Sequence, residues 1–408
     1  MSQPKSSDPG TLKEAKLRRR DWVLLPLLSL LTICLTAVLT ESIARRALPD
    51  GVTSLHLTSC TVQNDTPAGA RAIPNSVCWE KLPEGQLAQY RFNSCGDRAG
   101  IECGPKPPGT YRIVMTGTSM AVGRYVQRED TFAALLPIEL SRQTGRKVEL
   151  YNESMMQGFP MSAALRFNEI LAAQPDMVLW ILLPNDLEVT PDGLSKNPPP
   201  ALPESAGRPL SLARAWYLVE TAYASDSIPE MLRGHFNRTQ SALLLRHLLY
   251  ESQSLYVKSF LMGGEDADFL RINPSVEWLN KLRQFDSDAA EVESRAAAAK
   301  VPLVAVLVPN RAQAAMISMG EWPAGYNPYK LDSEIGSIIM SHGGTYIDIL
   351  PDFRGIPNPE KYYFPVDGHP DADGHRIISE LLAKALTGGA VSALRIAAQP
   401  QAAQEQGR

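Results

Sequence analysis

"DMVLWILLPNDLE", residues 176–188, carries an unbroken apolar run from Met177 to Leu183, followed at once by Pro, Asn and Asp. A strand with one wet face alternates apolar and polar residues. A run that is apolar on both faces belongs to a parallel sheet covered by helices on either side. Outward from this run, short apolar stretches alternate with helical ones. Upstream are "YRIVMTG" (111–117, strand), "EDTFAALLPIELSRQTG" (129–145, helix), "KVELYN" (147–152, strand) and "MSAALRFNEILAAQ" (161–174, helix). Downstream are "PLVAVLV" (302–308, strand), "YKLDSEIGSIIMSHG" (329–343, helix), "TYIDIL" (345–350, strand) and "DADGHRIISELLAKAL" (371–386, helix). Such alternation predicts an open α/β sheet with right-handed crossovers. Asp130 or Thr131 is expected to cap the first of these helices and Gly145 to end it; Pro137 predicts a kink or an earlier start.

In open parallel sheets, ligands bind beyond the carboxyl ends of the strands. The segment after each strand is therefore the place to look for chemistry. After the first comes "TGTSMAVG" (116–123), where Gly117 permits a tight turn before Ser119. After the second comes "NESMMQG" (152–158), after the third "PNDLE" (184–188). Before the final helix comes "DGHPDADGH" (367–375).

These four blocks, in this order, resemble the GDSL/SGNH hydrolase superfamily of esterases, lipases and acyl-ester hydrolases. The resemblance covers residues 110–387 and implies a flavodoxin-like three-layer α/β/α fold. It implies Ser119 as nucleophile and His369 as base. It also implies an oxyanion hole from the Ser119 N–H, the Asn185 side-chain amide and a block II backbone N–H, here Ser154 with Gly158 as the alternative. Two positions depart from the pattern. Thr118 stands where the family has an aspartate, and keeps a hydroxyl for turn hydrogen bonds. Val366 stands where many members place the acidic partner, and Asp367, two before the histidine, takes that role. The D-x-H spacing also occurs in SGNH-like domains that O-acetylate exopolysaccharides.

The chemistry is coherent without the family. A serine hydroxyl needs a base to remove its proton. Histidine titrates near working pH, a carboxylate such as Asp367 fixes its tautomer, and fixed N–H donors stabilise the oxyanion. No cofactor is expected. A calcium loop starting at Asp371 needs an acid at its twelfth position, which is Leu382, and His369 and His375 lack the i, i+4 spacing of helical zinc ligands. Metal is therefore not expected. Asp371 and Asp373 read as caps of the final helix, and Asp186 as a cap of its own loop. The remaining histidines, His56, His235, His247 and His342, carry no motif.

The 408 residues carry a net charge of −4, which argues against nucleic acid as a partner. Residues 22–40 contain no charge. At 1.5 Å per residue they span roughly 28 Å, about one hydrocarbon core. Lys13, Lys16 and Arg18 to Arg20 precede the run and only Arg45 and Arg46 follow closely, which predicts residues 1–21 as a cytoplasmic tail, 22–40 as a membrane helix and the rest outside the cytoplasm. A cleaved signal peptide is the alternative. Residues 41–109 form a cysteine-containing segment and linker. Cys60, Cys78, Cys95 and Cys103 predict two disulfides, with three pairings open. Sequons stand at Asn64, Asn152 and Asn237.

The alternation breaks at 190–273, a proline-rich and helical insertion. It is expected to form either an extra buried layer or a lid or membrane-facing surface beside the site. Residues 388–408 are small and polar, and read as a disordered tail. The expected partners are an acyl-ester substrate, acylated polysaccharide or lipid, and the membrane through one N-terminal helix. The competing readings are a serine esterase, an O-acyltransferase and a non-catalytic surface module.

Overall fold

The structure, a computed structural model, describes residues 20–48, 57–66, 69–156, 159–188, 239–262 and 264–396. The chain begins with α1 (Asp21–Ala47), whose residues from Trp22 to Thr40 are all exposed. It is longer than the expected 22–40 span because its last two turns are charged and still helical. Two antiparallel hairpins follow, β1 (Thr61–Thr66) with β2 (Gly69–Ala72) and β3 (Val77–Lys81) with β4 (Leu87–Arg91). The cysteine segment thus contains two hairpins, with Cys95 and Cys103 in the irregular chain that follows them. The strands are four to six residues long, and in β3 and β4 it is alternate residues that are buried. Cys60 pairs with Cys78 and Cys95 with Cys103.

A five-stranded parallel sheet forms the centre: β5 (Thr110–Thr116), β6 (Lys147–Asn152), β7 (Met177–Leu182), β8 (Leu303–Leu307) and β9 (Thr345–Ile347). Their order is β6-β5-β7-β8-β9, the flavodoxin-like arrangement. Every residue of β5, β7 and β8 is buried, as apolar runs covered on both faces must be. Helix α2 (Ser119–Val122) is one turn long, and α3 (Phe132–Thr144) is capped by Thr131, whose hydroxyl accepts from the Ala134 N–H. Pro137 lies inside α3 without ending it, and Gly145 closes it in the left-handed conformation. The helix expected over 161–174 is two, α4 (Pro160–Leu165) and α5 (Phe167–Ala172), separated at Arg166.

Of the insertion, the described part holds α6 (Gln240–Tyr250), α7 (Gln253–Leu261) and a 3-10 stretch at Gly264–Leu270; the proline-rich arm lies outside the described residues. Then come α8 (Val276–Ala299), α9 (Arg311–Met319), α10 (Lys330–Ser341) and α11 (Ala372–Ala385). Helix α3 packs with α11, and α8 with α4, α5 and α10, so two helical groups flank the sheet. Asp371 caps α11 by accepting the Gly374 N–H. The chain stays packed beyond residue 388, since Val391 and Leu394 are buried in the main core, which the polar composition around them hides. Residues 397–408 lie outside the described residues.

Candidate active site

The switch point of this sheet lies between β5 and β7, where connections leave in opposite directions. Ser119 begins α2, three residues beyond the end of β5. The turn between them is close-packed: a Cβ on Gly117 would meet the Ile181 carbonyl oxygen at 2.7 Å, so no larger residue fits without a shift. His369, in the loop before α11, presents Nε2 at 2.8 Å from Ser119 Oγ. Its Nδ1 lies 2.5 Å from Asp367 Oδ1, which also accepts the His369 backbone N–H. With a single residue between carboxylate and ring, one loop turn makes both contacts. Gly368, the residue between them, adopts φ +87°, which lets the chain reverse there.

Burial alone would raise the Asp367 pKa. The hydrogen bonds and charge of His369, with the Arg124 guanidinium, outweigh that and hold it below the ordinary carboxylate range. A hydroxyl, an imidazole and an ionised carboxylate in series are the arrangement that makes serine a nucleophile.

The expected oxyanion donors are not equally placed. Asn185 is exposed on the one-turn helix Pro184–Glu188 that follows β7. That turn is tied to the turn that carries Ser119: Asp186 accepts from Thr118 Oγ1 at 2.6 Å and from the Leu183 N–H at 3.0 Å. Thr118 therefore does not cap α2; it links two strand ends, and Asp186 does more than cap its own loop. The expectation for Ser154 is corrected. Its N–H donates to Asn152 Oδ1 at 3.1 Å and is not available as a backbone donor, because Asn152 folds back from the end of β6 to brace α2 through Ala121. Ser154 Oγ is buried with no hydrogen-bond partner among the described residues. Gly158 lies outside the described residues. The Asn152 sequon is in this buried position and is closed to glycosylation.

His375 belongs to the packing. It is fully buried, its Nδ1 accepts the Phe132 N–H, and its ring lies against Phe132. Burial, with Arg98 and His369 nearby, pushes its pKa down to about 3, so it is neutral.

Several residues around the site have no motif and went unread in the sequence. Glu84, in the β3–β4 turn, accepts the backbone N–H groups of Val366 and Asp367 at 3.1 and 3.2 Å, and His247 Nδ1 lies 2.9 Å from it. Its side chain is 1% exposed. Glu80 on β3 holds Arg124 at 2.8 Å. The guanidinium lies over the Tyr125 ring, whose edge-on partner is the His369 ring, with centroids 5.6 Å apart. Arg98, inside the Cys95–Cys103 loop, donates to the carbonyls of Val122, Gly123 and Val126 just after Ser119. Arg311 donates to the carbonyls of Glu360, Pro365 and Tyr250, fixing the approach to Asp367. The cysteine segment thus braces both the serine's loop and the histidine's loop. A cavity of about 580 Å³ lined by Arg71, Glu153 and Arg166 includes none of Ser119, Asn185, Asp367 and His369.

No protein-family model matches the chain, and no curated protein does. Among solved structures it is similar to TesA, with 10% identity over 68% of this chain and 98% of that one and a TM-score of 0.36. It is similar to the psychrotrophic esterase EstA from Pseudoalteromonas sp., with 11% identity over 68% and 97% and a TM-score of 0.34. It is also similar to a variant of Axe2, an acetyl-xylooligosaccharide esterase from Geobacillus Stearmophilus, with 10% identity over 68% and 94% and a TM-score of 0.35.

Proposed function

We propose that the chain is a serine esterase of SGNH type that cleaves an acyl ester, carried outside the cytoplasm on one N-terminal membrane helix. The observation that carries this reading is the series Ser119 Oγ, His369 Nε2, His369 Nδ1, Asp367 Oδ1, with separations of 2.8 and 2.5 Å. In the proposed mechanism His369 takes the Ser119 proton as Oγ attacks the ester carbonyl. Asp367 keeps the imidazole in the productive tautomer and stabilises the imidazolium. The developing oxyanion is met by the Ser119 N–H and the Asn185 amide. Ser154 Oγ, being buried and unpartnered among the described residues, is the third donor in place of a backbone N–H. His369 then protonates the departing alcohol, and water, activated by the same imidazole, releases the acid.

The D-x-H spacing favours an O-acyltransferase as the second reading, in which a sugar hydroxyl replaces that water. The helix α1, with its uncharged run over residues 22–40, and the two cystines support an exported chain.

A fluorophosphonate probe tests the nucleophile. Labelling of the parent and not of Ser119→Ala supports it; equal labelling of both removes Ser119 from the reaction, and a non-catalytic module is then the better description. An ester panel of varied acyl length, with and without added oligosaccharide, separates release of free acid from acyl transfer.

A further inference from the structure

Helix α1 is exposed along its whole uncharged run, and it is joined to α6 where that run ends. There Glu41 accepts the N–H groups of Gln240 and Ser241, at 3.2 and 2.9 Å, and the Ser241 hydroxyl at 2.8 Å. It thereby caps the start of α6, and Ala44 is fully buried one turn further on. Glu41 directly follows the run that spans roughly one hydrocarbon core. The first turn of α6 is therefore held at the depth where hydrocarbon gives way to headgroups.

At 100° per residue, Ser241, Leu245 and Leu248 share one stripe of α6, with Leu249 beside it. The three leucines are 49%, 55% and 44% exposed. Single exposed leucines are ordinary, but here they form one stripe that begins at the contact with α1. The other side of α6 faces the protein: His247 reaches Glu84, and the Tyr250 carbonyl accepts from Arg311.

We propose that Leu245, Leu248 and Leu249 rest in the outer interfacial layer of the bilayer that α1 crosses, giving the protein a second membrane contact besides its anchor. The proposal builds on α1 being a retained span. It makes α6 a bridge: one face in lipid, the other two side chains away from the loop bearing Asp367, so the site is held beside the membrane surface. An ester presented from that surface would meet it without leaving the interface.

Spin labelling of the full chain in phospholipid vesicles tests this. The native thiol of Cys34, within the uncharged run, takes a nitroxide that reports the span itself. Leu248→Cys and Leu245→Cys in a Cys34→Ser background report α6, and Glu291→Cys on α8 reports a water-facing site. The expected result at both leucine positions is a ratio of oxygen to nickel-complex collisions several-fold above that at Glu291→Cys and below that at Cys34. A shielded Cys34 with leucine positions matching Glu291→Cys overturns the proposal alone. Leucine positions closed to both reagents also overturn it, because protein then covers the stripe. A Cys34 label open to the nickel complex brings down the membrane span, and this proposal with it.

Discussion

Thr118 Oγ1 donates to Asp186 Oδ1 across 2.6 Å, joining the turn that carries Ser119 to the turn that carries Asn185. Both side chains are buried. The position where the resembling family has an aspartate has not simply lost a carboxylate. An acid is supplied from the neighbouring strand end, and the pair fixes the two turns together. Thr118→Val removes the donor while keeping the shape. It should cost about 1.5–3 kcal/mol, the value of a hydrogen bond to a charged group. It should also lower turnover more than Thr118→Ser, which restores the hydroxyl. Denaturant melts with rates on one activated ester check both, and a valine variant equal to the parent would show the link to be idle.

Asp367→Asn should reduce turnover by on the order of 10³–10⁴, since an amide no longer favours the productive tautomer or the imidazolium. It should also change the response to acid. Asp367 is held below its ordinary 3.8 in the folded protein, so its contribution to stability is present above that value and lost as pH falls through the lower, folded one. Melting temperatures taken from neutral to acid pH should fall less steeply for Asp367→Asn than for the parent.

Glu84→Ala leaves two backbone N–H groups without their acceptor and His247 without its partner. The loop from Phe364 to His369 should loosen, lowering kcat more than it raises KM, because the loop sets the imidazole rather than the substrate. Glu84→Gln keeps an acceptor oxygen and should recover part of the loss. An unchanged kcat in Glu84→Ala would mean that Arg311 alone holds the loop.

Glu293, on α8, is 5% exposed, and burial raises its pKa to about 7 from the ordinary 4.5. Its carboxyl lies against the backbone of Gly344. A raised folded value means that stability is full below 4.5 and declines as pH rises to about 7. Glu293→Gln, which stays neutral, should flatten that decline; identical pH–stability curves for the two proteins would rule the group out as its source.

The parallel sheet was legible because burial on both faces leaves no room for polar residues, as in Met177–Leu182. The Ser119–His369–Asp367 grouping was legible because sheet topology sends successive strand ends to one rim, so short motifs far apart in sequence converge. Helix α8 is legible from Trp278, Leu282, Phe285, Ala289, Val292 and Ala296, which recur at three and four residues, although it was not among the expected elements. Glu84, Arg98 and Arg311 were not legible. Each acts on backbone carbonyls or N–H groups of a distant segment, and such contacts impose no residue type on the partner. The direction of the Ser154 N–H was not legible for a related reason. Sequence alignment transfers a backbone N–H by position, but its direction depends on Asn152, whose side chain turned back to take it.

The hairpin that supplies Glu80 and Glu84 is closed at Cys78, two residues before Glu80, by its bond to Cys60. Until that bond forms, nothing covalent holds either glutamate in register with the loops it supports. A newly made chain still in a reducing compartment would carry its serine and histidine without a firm frame around them. On the proposed reading, a chain of this kind would gain its full activity only after reaching an oxidising compartment.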